Sequence, residues 1–131
     1  MKILVVTLSL SRNAGGLFYS VRELSKELSQ KSDTQIEVVG VKDDFYEEDK
    51  SAWQGINVKA FKRSGILTKF GFSWGLAKYI FKSEADIIHL HGIWNFASFA
   101  VLLRVFCKPT KLVISPRGML DKWIINKGRI K

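Results

Sequence analysis

The chain has 131 residues, 47% of them hydrophobic, which is enough for one real core and too few for two ordinary domains. Its 21 Lys and Arg against 12 Asp and Glu leave a net charge of +9, which points to anionic partners such as phosphorylated small molecules, lipid head groups or nucleic acid. A lone cysteine, Cys107, excludes an internal disulfide and a cysteine-based metal cage and fits a reducing cytoplasm, and no apolar run approaches the ~18 residues of a membrane span.

Lys2 to Leu8 carries Ile3, Leu4, Val5 and Val6 in succession, the pattern of a central parallel strand covered on both faces. A polar turn ending in Gly15-Gly16 follows. The helix after it places Leu17, Val21, Leu24 and Leu28 on one stripe, with Arg22, Glu23, Lys26 and Glu27 outside it. A phosphate-bearing ligand fits such a turn, because glycine lets the backbone approach closely and the helix presents free N–H groups at its positive end. Two glycines also make a plain tight connection, so the turn alone does not decide.

Gln35 to Val41 reads as a second strand and Asn57 to Phe61 as a third. Between them, Lys42 to Gly55 holds five acids (Asp43, Asp44, Glu47, Glu48 and Asp49) and reads as a surface loop. From Lys59 to Lys82 there are six basic residues and no acid, with Lys62, Arg63 and Lys69 beside Phe70, Phe72 and Trp74. That mixture fits a face resting on an anionic membrane surface, or aromatics packed on the sheet with lysines in water. A helix is predicted over Ser73 to Lys82.

Asp86 to Leu90 is the fourth strand, and Asn95 to Phe106 an apolar helix that Pro109 stops. Lys111 to Ser115 is the fifth strand, Pro116 to Leu120 its exit loop, and the remainder a basic tail with Trp123, Ile124 and Ile125. Strands alternating with helices imply right-handed crossovers and an α/β fold with a doubly wound, mostly parallel, Rossmann-like sheet.

Ligands on such sheets bind outside the carboxyl ends of the strands, which singles out Ser9 to Gly16, His91 to Asn95 and Pro116 to Leu120. Gly15 and Gly16 are the phosphate-binding candidates. Substrate-binding candidates are Asn13, Trp94, Asn95, Gly118 and Met119. His91 is the histidine expected to face the cleft, with His89 deeper on the same strand face; a neutral imidazole there can hydrogen-bond a ligand hydroxyl. Both histidines can equally cap the strand. An H-x-H pair with no further histidine is a poor zinc site, and no metal is expected. Arg117 stays protonated, so it serves as an electrostatic clamp on a phosphate or carboxylate rather than as a base.

Taken together, NAGGLFYSVRELSKEL, DIIHLHGIW and KLVISPRGMLDKW resemble the amino-terminal part of a retaining glycosyltransferase of the GT-B, family 4 type. The resemblance implies sugar transfer from a nucleotide-sugar donor to a glycan or lipid-linked acceptor in cell-surface polysaccharide synthesis, between two Rossmann-like domains. The amino-terminal domain would bind the acceptor, Gly15-Gly16 would lie near the donor phosphates, and positive side chains and helix termini would replace a metal. His91 and Arg117 become catalytic candidates by this resemblance, although many members carry a histidine where Arg117 stands.

The resemblance also implies that residues 1–131 form a single, incomplete amino-terminal domain without its carboxyl-terminal donor domain, inactive alone, in the cytoplasm or on the inner face of the membrane. Two alternatives compete with sugar transfer. An NAD-type dinucleotide-binding domain would use Asp43 or Asp44 on a ribose, but no G-x-G-x-x-G stands between Leu8 and the helix. A non-enzymatic basic binding module would exploit the charge, yet no nucleic-acid motif is present and no nucleic acid is expected as partner.

Overall fold

The structure is a computed structural model that describes residues 1–64, 72–93 and 95–116. Five strands, β1 (Lys2–Ser9), β2 (Gln35–Val41), β3 (Asn57–Phe61), β4 (Ile87–His91) and β5 (Lys111–Ser115), form one sheet in the order β3-β2-β1-β4-β5. Every described pairing is parallel. The chain runs from β1 outward to β3, then returns to β4 on the other side of β1. The direction of winding therefore reverses between β1 and β4, as in Rossmann-like sheets.

β1 is central, and its apolar run is divided between two cores. Ile3 and Val5 join Val21, Val38 and Trp53 on one face, while Leu4 and Val6 join Val39, Ile88, Leu90, Ala97 and Val101 on the other. Helix α1 (Gly16–Ser29) covers the first face; α3 (Trp74–Lys82) and α4 (Phe96–Cys107) cover the second. The doubly wound arrangement is as the sequence predicts, and the sheet is wholly parallel where described. Ser73 caps α3 by accepting from the backbone N–H of Leu76, and Asn95 caps α4 through a capping box with Ser98.

Two expectations need correction. The stripe of α1 is wider than predicted: Val21 is buried and Leu17 and Leu28 pack on the same core as expected, with Leu24 half-buried, but Phe18 and Ser25 are buried beside them. Phe18 turns inward because Trp53 meets it edge-on, ring centroids 5.7 Å apart. Nor is Lys42 to Gly55 a plain surface loop: it contains a short helix, α2 (Tyr46–Asp49), and a 3-10 turn at Lys50–Trp53. Trp53 ends that turn buried, and its indole N–H donates to the Leu10 carbonyl at 2.8 Å. A buried indole needs such an acceptor, and that bond draws the segment onto the sheet.

At the amino ends of the strands an open recess of about 430 Å³ is lined by Lys2, Glu37, Asn57, Tyr79, Lys82 and Glu84, opposite the predicted site loops. The Tyr79 hydroxyl donates to the Glu37 carboxylate, and the Lys59 ammonium lies 4.7 Å from the Tyr79 ring centre. Burial first, and then the bond to Glu37, push the Tyr79 phenol up to about 12. A phenol with a raised folded value stabilises the fold fully below its unfolded value of ~10 and loses that contribution as pH climbs through about 12. Ultraviolet titration should show a late phenol ionisation in the folded protein, and Tyr79→Phe should remove it.

Candidate functional site at the carboxyl edge of the sheet

The connection from β1 to α1 begins at an irregularity. Val6 pairs with Val39 and Ser9 with Val41, so Thr7 and Leu8 together oppose the single residue Gly40. Such a bulge bends the strand and re-aims the residues beyond it. Leu10 consequently drops into the core beneath α1, and Ser9 and Ser11 turn toward the end of β2.

There both serines meet Asp43. Its carboxylate accepts from the Ser9 hydroxyl at 2.6 Å, from the Ser11 hydroxyl at 2.7 Å and from the Phe45 backbone N–H at 3.0 Å. Next to them Arg12 grips Asp49: its guanidinium reaches the carboxylate at 2.7 Å and its backbone N–H at 2.8 Å. The hydrogen bond from the Arg12 side chain, more than any other cause, holds the Asp49 carboxyl below its ordinary value, and the same pairing raises Arg12. The acidic segment thus ties down the candidate loop. Asp43→Ala removes the acceptor shared by two hydroxyls and an amide, and should cost about 2 kcal/mol. Hydrogen exchange should then quicken at the amides of residues 9–16, with the β4 and β5 amides unchanged.

Asn13 is exposed within a 3-10 turn (Arg12–Ala14), its backbone N–H donating to Ser11 Oγ at 3.2 Å. Gly15 has φ +62° and ψ −136°, a conformation that side chains resist, so the tight connection itself requires this glycine. Gly16 is different. It is the first residue of α1, has no positive φ, and apart from its chain neighbours and its own helix backbone no described atom lies within 4 Å of where its Cβ would stand. None of the described side chains caps α1, and no acid occupies its first turn.

On the other side of the winding reversal, β4 ends in the two histidines, on the sheet face that α1 covers by strand alternation. Their rings lie 4.0 Å apart at an angle of 32°. His89 Nε2 is 2.8 Å from the Ser115 hydroxyl at the end of β5. His91 is 1% exposed, its ring enclosed at the strand end beside that of His89. The next residue, Gly92, donates its backbone N–H to the Ser115 carbonyl at 2.8 Å, joining the exits of β4 and β5. The Asn95 side chain is engaged as the cap of α4 and accepts from Ser98 N–H at 3.0 Å. Trp94, Arg117, Gly118 and Met119 lie outside the described residues.

The fold therefore brings Asn13, Gly15 and Gly16 to one lip of the β1/β4 reversal and His91 and Asn95 to the other. It assigns Asp43, considered from sequence as a ribose ligand, to holding the loop instead; Asp44 is largely exposed and lies 3.6 Å from Arg63. Ser9, Ser11 and Gly40 are the contributors that sequence reading missed, and an isolated glycine within VVGV was the available signal of a bulge. Among the described residues no group of three or more His, Cys, Asp or Glu could hold a metal, and no helix is long and apolar enough to cross a membrane.

Fold and loops define a doubly wound α/β protein with a five-stranded parallel sheet and a candidate ligand edge at its winding reversal. Comparison with protein-family models and with curated proteins finds no match to the chain.

Proposed function

We propose that the chain is the acceptor-side, amino-terminal domain of a retaining GT-B, family 4 type glycosyltransferase that moves a sugar from a nucleotide-sugar donor to a glycan or lipid-linked acceptor in cell-surface polysaccharide synthesis. The observation that carries this reading is Gly16. It opens α1 with no side chain over the helix start, although neither its backbone nor its described packing requires a glycine there. A ligand approaching the uncapped start of α1 supplies the reason. The first-turn N–H groups would then offset charge on the departing diphosphate.

In this reading Arg117 adds a permanent positive charge beside the phosphates, and no metal is invoked. His91 hydrogen-bonds a sugar or acceptor hydroxyl, and Asn13, Trp94, Asn95, Gly118 and Met119 line the acceptor path. In this reading the donor's ribose and sugar are held by a second Rossmann-like domain facing this one across the cleft. The setting is the cytoplasm or the inner face of the membrane, where Lys62, Arg63 and Lys69 meet a lipid-linked acceptor.

Amide chemical shifts recorded with millimolar uridine, guanosine and adenosine diphosphates test the site. Movement should centre on Gly15, Gly16 and Leu17. Gly16→Asp should weaken that response about tenfold by placing a carboxylate against the phosphates, while thermal stability holds or rises because an acid suits a helix start. Shifts centred elsewhere, or undiminished in Gly16→Asp, defeat the assignment. For the activity, the full gene product should transfer or hydrolyse one of a panel of nucleotide sugars; failure with all of them rejects sugar transfer.

A further inference from the structure

The sheet face that α3 and α4 cover is apolar toward the carboxyl edge and turns polar toward the amino edge. On β2, Val39 and Val41 belong to the core beneath these helices, and strand alternation puts Glu37 on the same face. Register aligns Glu37 with Leu4 of β1 on one side and with Asn57 of β3 on the other. All three line the open recess of about 430 Å³ at the amino ends of the strands, where Gln35, Lys82 and Glu84 join them. The candidate site lies at the opposite edge of the sheet.

Glu37 is only half served. Its side chain is 24% exposed, and both of its described contacts, the Tyr79 hydroxyl and the Lys59 ammonium at 3.9 Å, are made by Oε1. A carboxylate withdrawn this far from water ordinarily finds partners for both oxygens, yet Oε2 has none among the described residues. The Tyr79 phenol, pushed up to about 12, stays protonated at neutral pH and keeps donating to Oε1. The side-chain amides of Gln35 and Asn57 are likewise without a described hydrogen bond.

Two ammonium groups, Lys2 and Lys82, and two carboxylates, Glu37 and Glu84, line the recess, so its charges cancel. An ion of either sign gains little there. A neutral ligand dense in hydroxyls uses every one of these groups, because each hydroxyl both donates and accepts: carboxylate and amide oxygens take its hydrogens, amide N–H and ammonium groups its lone pairs. Leu4 and Ala85 supply apolar lining for the C–H face of a sugar ring. The volume falls within the ~300 to 1,000 Å³ usual for small-molecule sites.

We propose that this amino-edge recess binds a neutral mono- or disaccharide, with Glu37 Oε2 and the side-chain amides of Gln35 and Asn57 as its hydroxyl partners. It is a second ligand site, separate from the carboxyl-edge loops. It stands independently of sugar transfer, because it needs neither a nucleotide nor a second domain.

Chemical shifts of the full chain recorded with tens of millimolar glucose or maltose test it. The side-chain NH2 signals of Gln35 and Asn57 and the backbone amide of Glu37 should move. Sodium phosphate and arginine hydrochloride at the same concentration should leave those signals in place. Asn57→Ala, at an exposed position, should weaken maltose binding about fivefold, and Glu37→Gln, which keeps an acceptor for Tyr79, about tenfold, both with an unchanged circular dichroism spectrum. No movement with either sugar, movement confined to other residues, affinity unchanged in both variants, or a larger response to phosphate or arginine than to the sugars overturns the proposal.

Discussion

Gly40→Ala should destabilise the fold by about 3 kcal/mol, because its Cβ has nowhere to go. The added carbon would stand 2.6 Å from the Thr7 carbonyl oxygen and 2.8 Å from Leu10 Cγ. The first of these is backbone, and it belongs to the bulge that aims the β1 exit. Relief therefore means moving β1 and β2 apart at their carboxyl ends or flattening the bulge. Either response withdraws Ser9 and Ser11 from Asp43 and displaces the start of α1. Urea denaturation gives the stability loss, and nucleoside diphosphate titration of the surviving fold should show the Gly15 and Gly16 amides responding less than in the parent. A loss below about 1 kcal/mol would mean that the strands part easily here and that the bulge does not hold the loop.

Arg104→Ala should cost about as much, roughly 3 to 4 kcal/mol, although Arg104 lies far from the candidate site. The residue is 1% exposed within the otherwise apolar α4. Its guanidinium donates to the carbonyl of Lys108 at 2.6 Å, to Thr110 Oγ1 at 3.0 Å and to the carbonyl of Ser83 at 2.8 Å. Lys108 and Ser83 are the C-terminal caps of α4 and α3. A single cation thus serves the negative ends of two helices and ties them together, without a described carboxylate partner. Arg104→Lys keeps the charge but has one nitrogen for three acceptors, so it should recover less than half of the loss. Chemical denaturation of the two variants separates the geometric role from simple charge. Full rescue by lysine would show that the field of the helix ends, rather than the fork of the guanidinium, is what matters.

Much of the architecture was legible from local pattern. The consecutive Ile3 to Val6, the run from Gln35 to Val41 and the segment Lys111 to Ser115 became strands with nearly the expected bounds. Ser73 and Asn95 stand at the starts of the two predicted later helices and cap them. Alternation of strand and helix was sufficient for a parallel, doubly wound sheet, because parallel neighbours need a crossover and crossovers have one hand. The candidate loops were legible for the same reason: in such a sheet every strand exit points to one edge.

The partnerships at that edge were not legible. Ser11 meets Asp43 across 32 positions and Trp53 meets Leu10 across 43, and no local period records a pairing of that reach. The acids of Lys42 to Gly55 read as a solvated run because charge patterning ignores what lies opposite in space, whereas Asp43 and Asp49 are anchored by the β1–α1 loop. The stripe of α1 widened to Phe18 because Trp53 arrived from elsewhere in the chain. By itself, then, the sequence determined the five strands and the three longer helices and that the loops leaving the strands share one edge, since hydrophobic periodicity and caps act within a few turns. Only the tertiary structure decided where the winding reverses, that Gly15 serves the backbone while Gly16 faces open space, and that Asp43 is a structural anchor, because those depend on contacts between residues distant in sequence and on the space left around them.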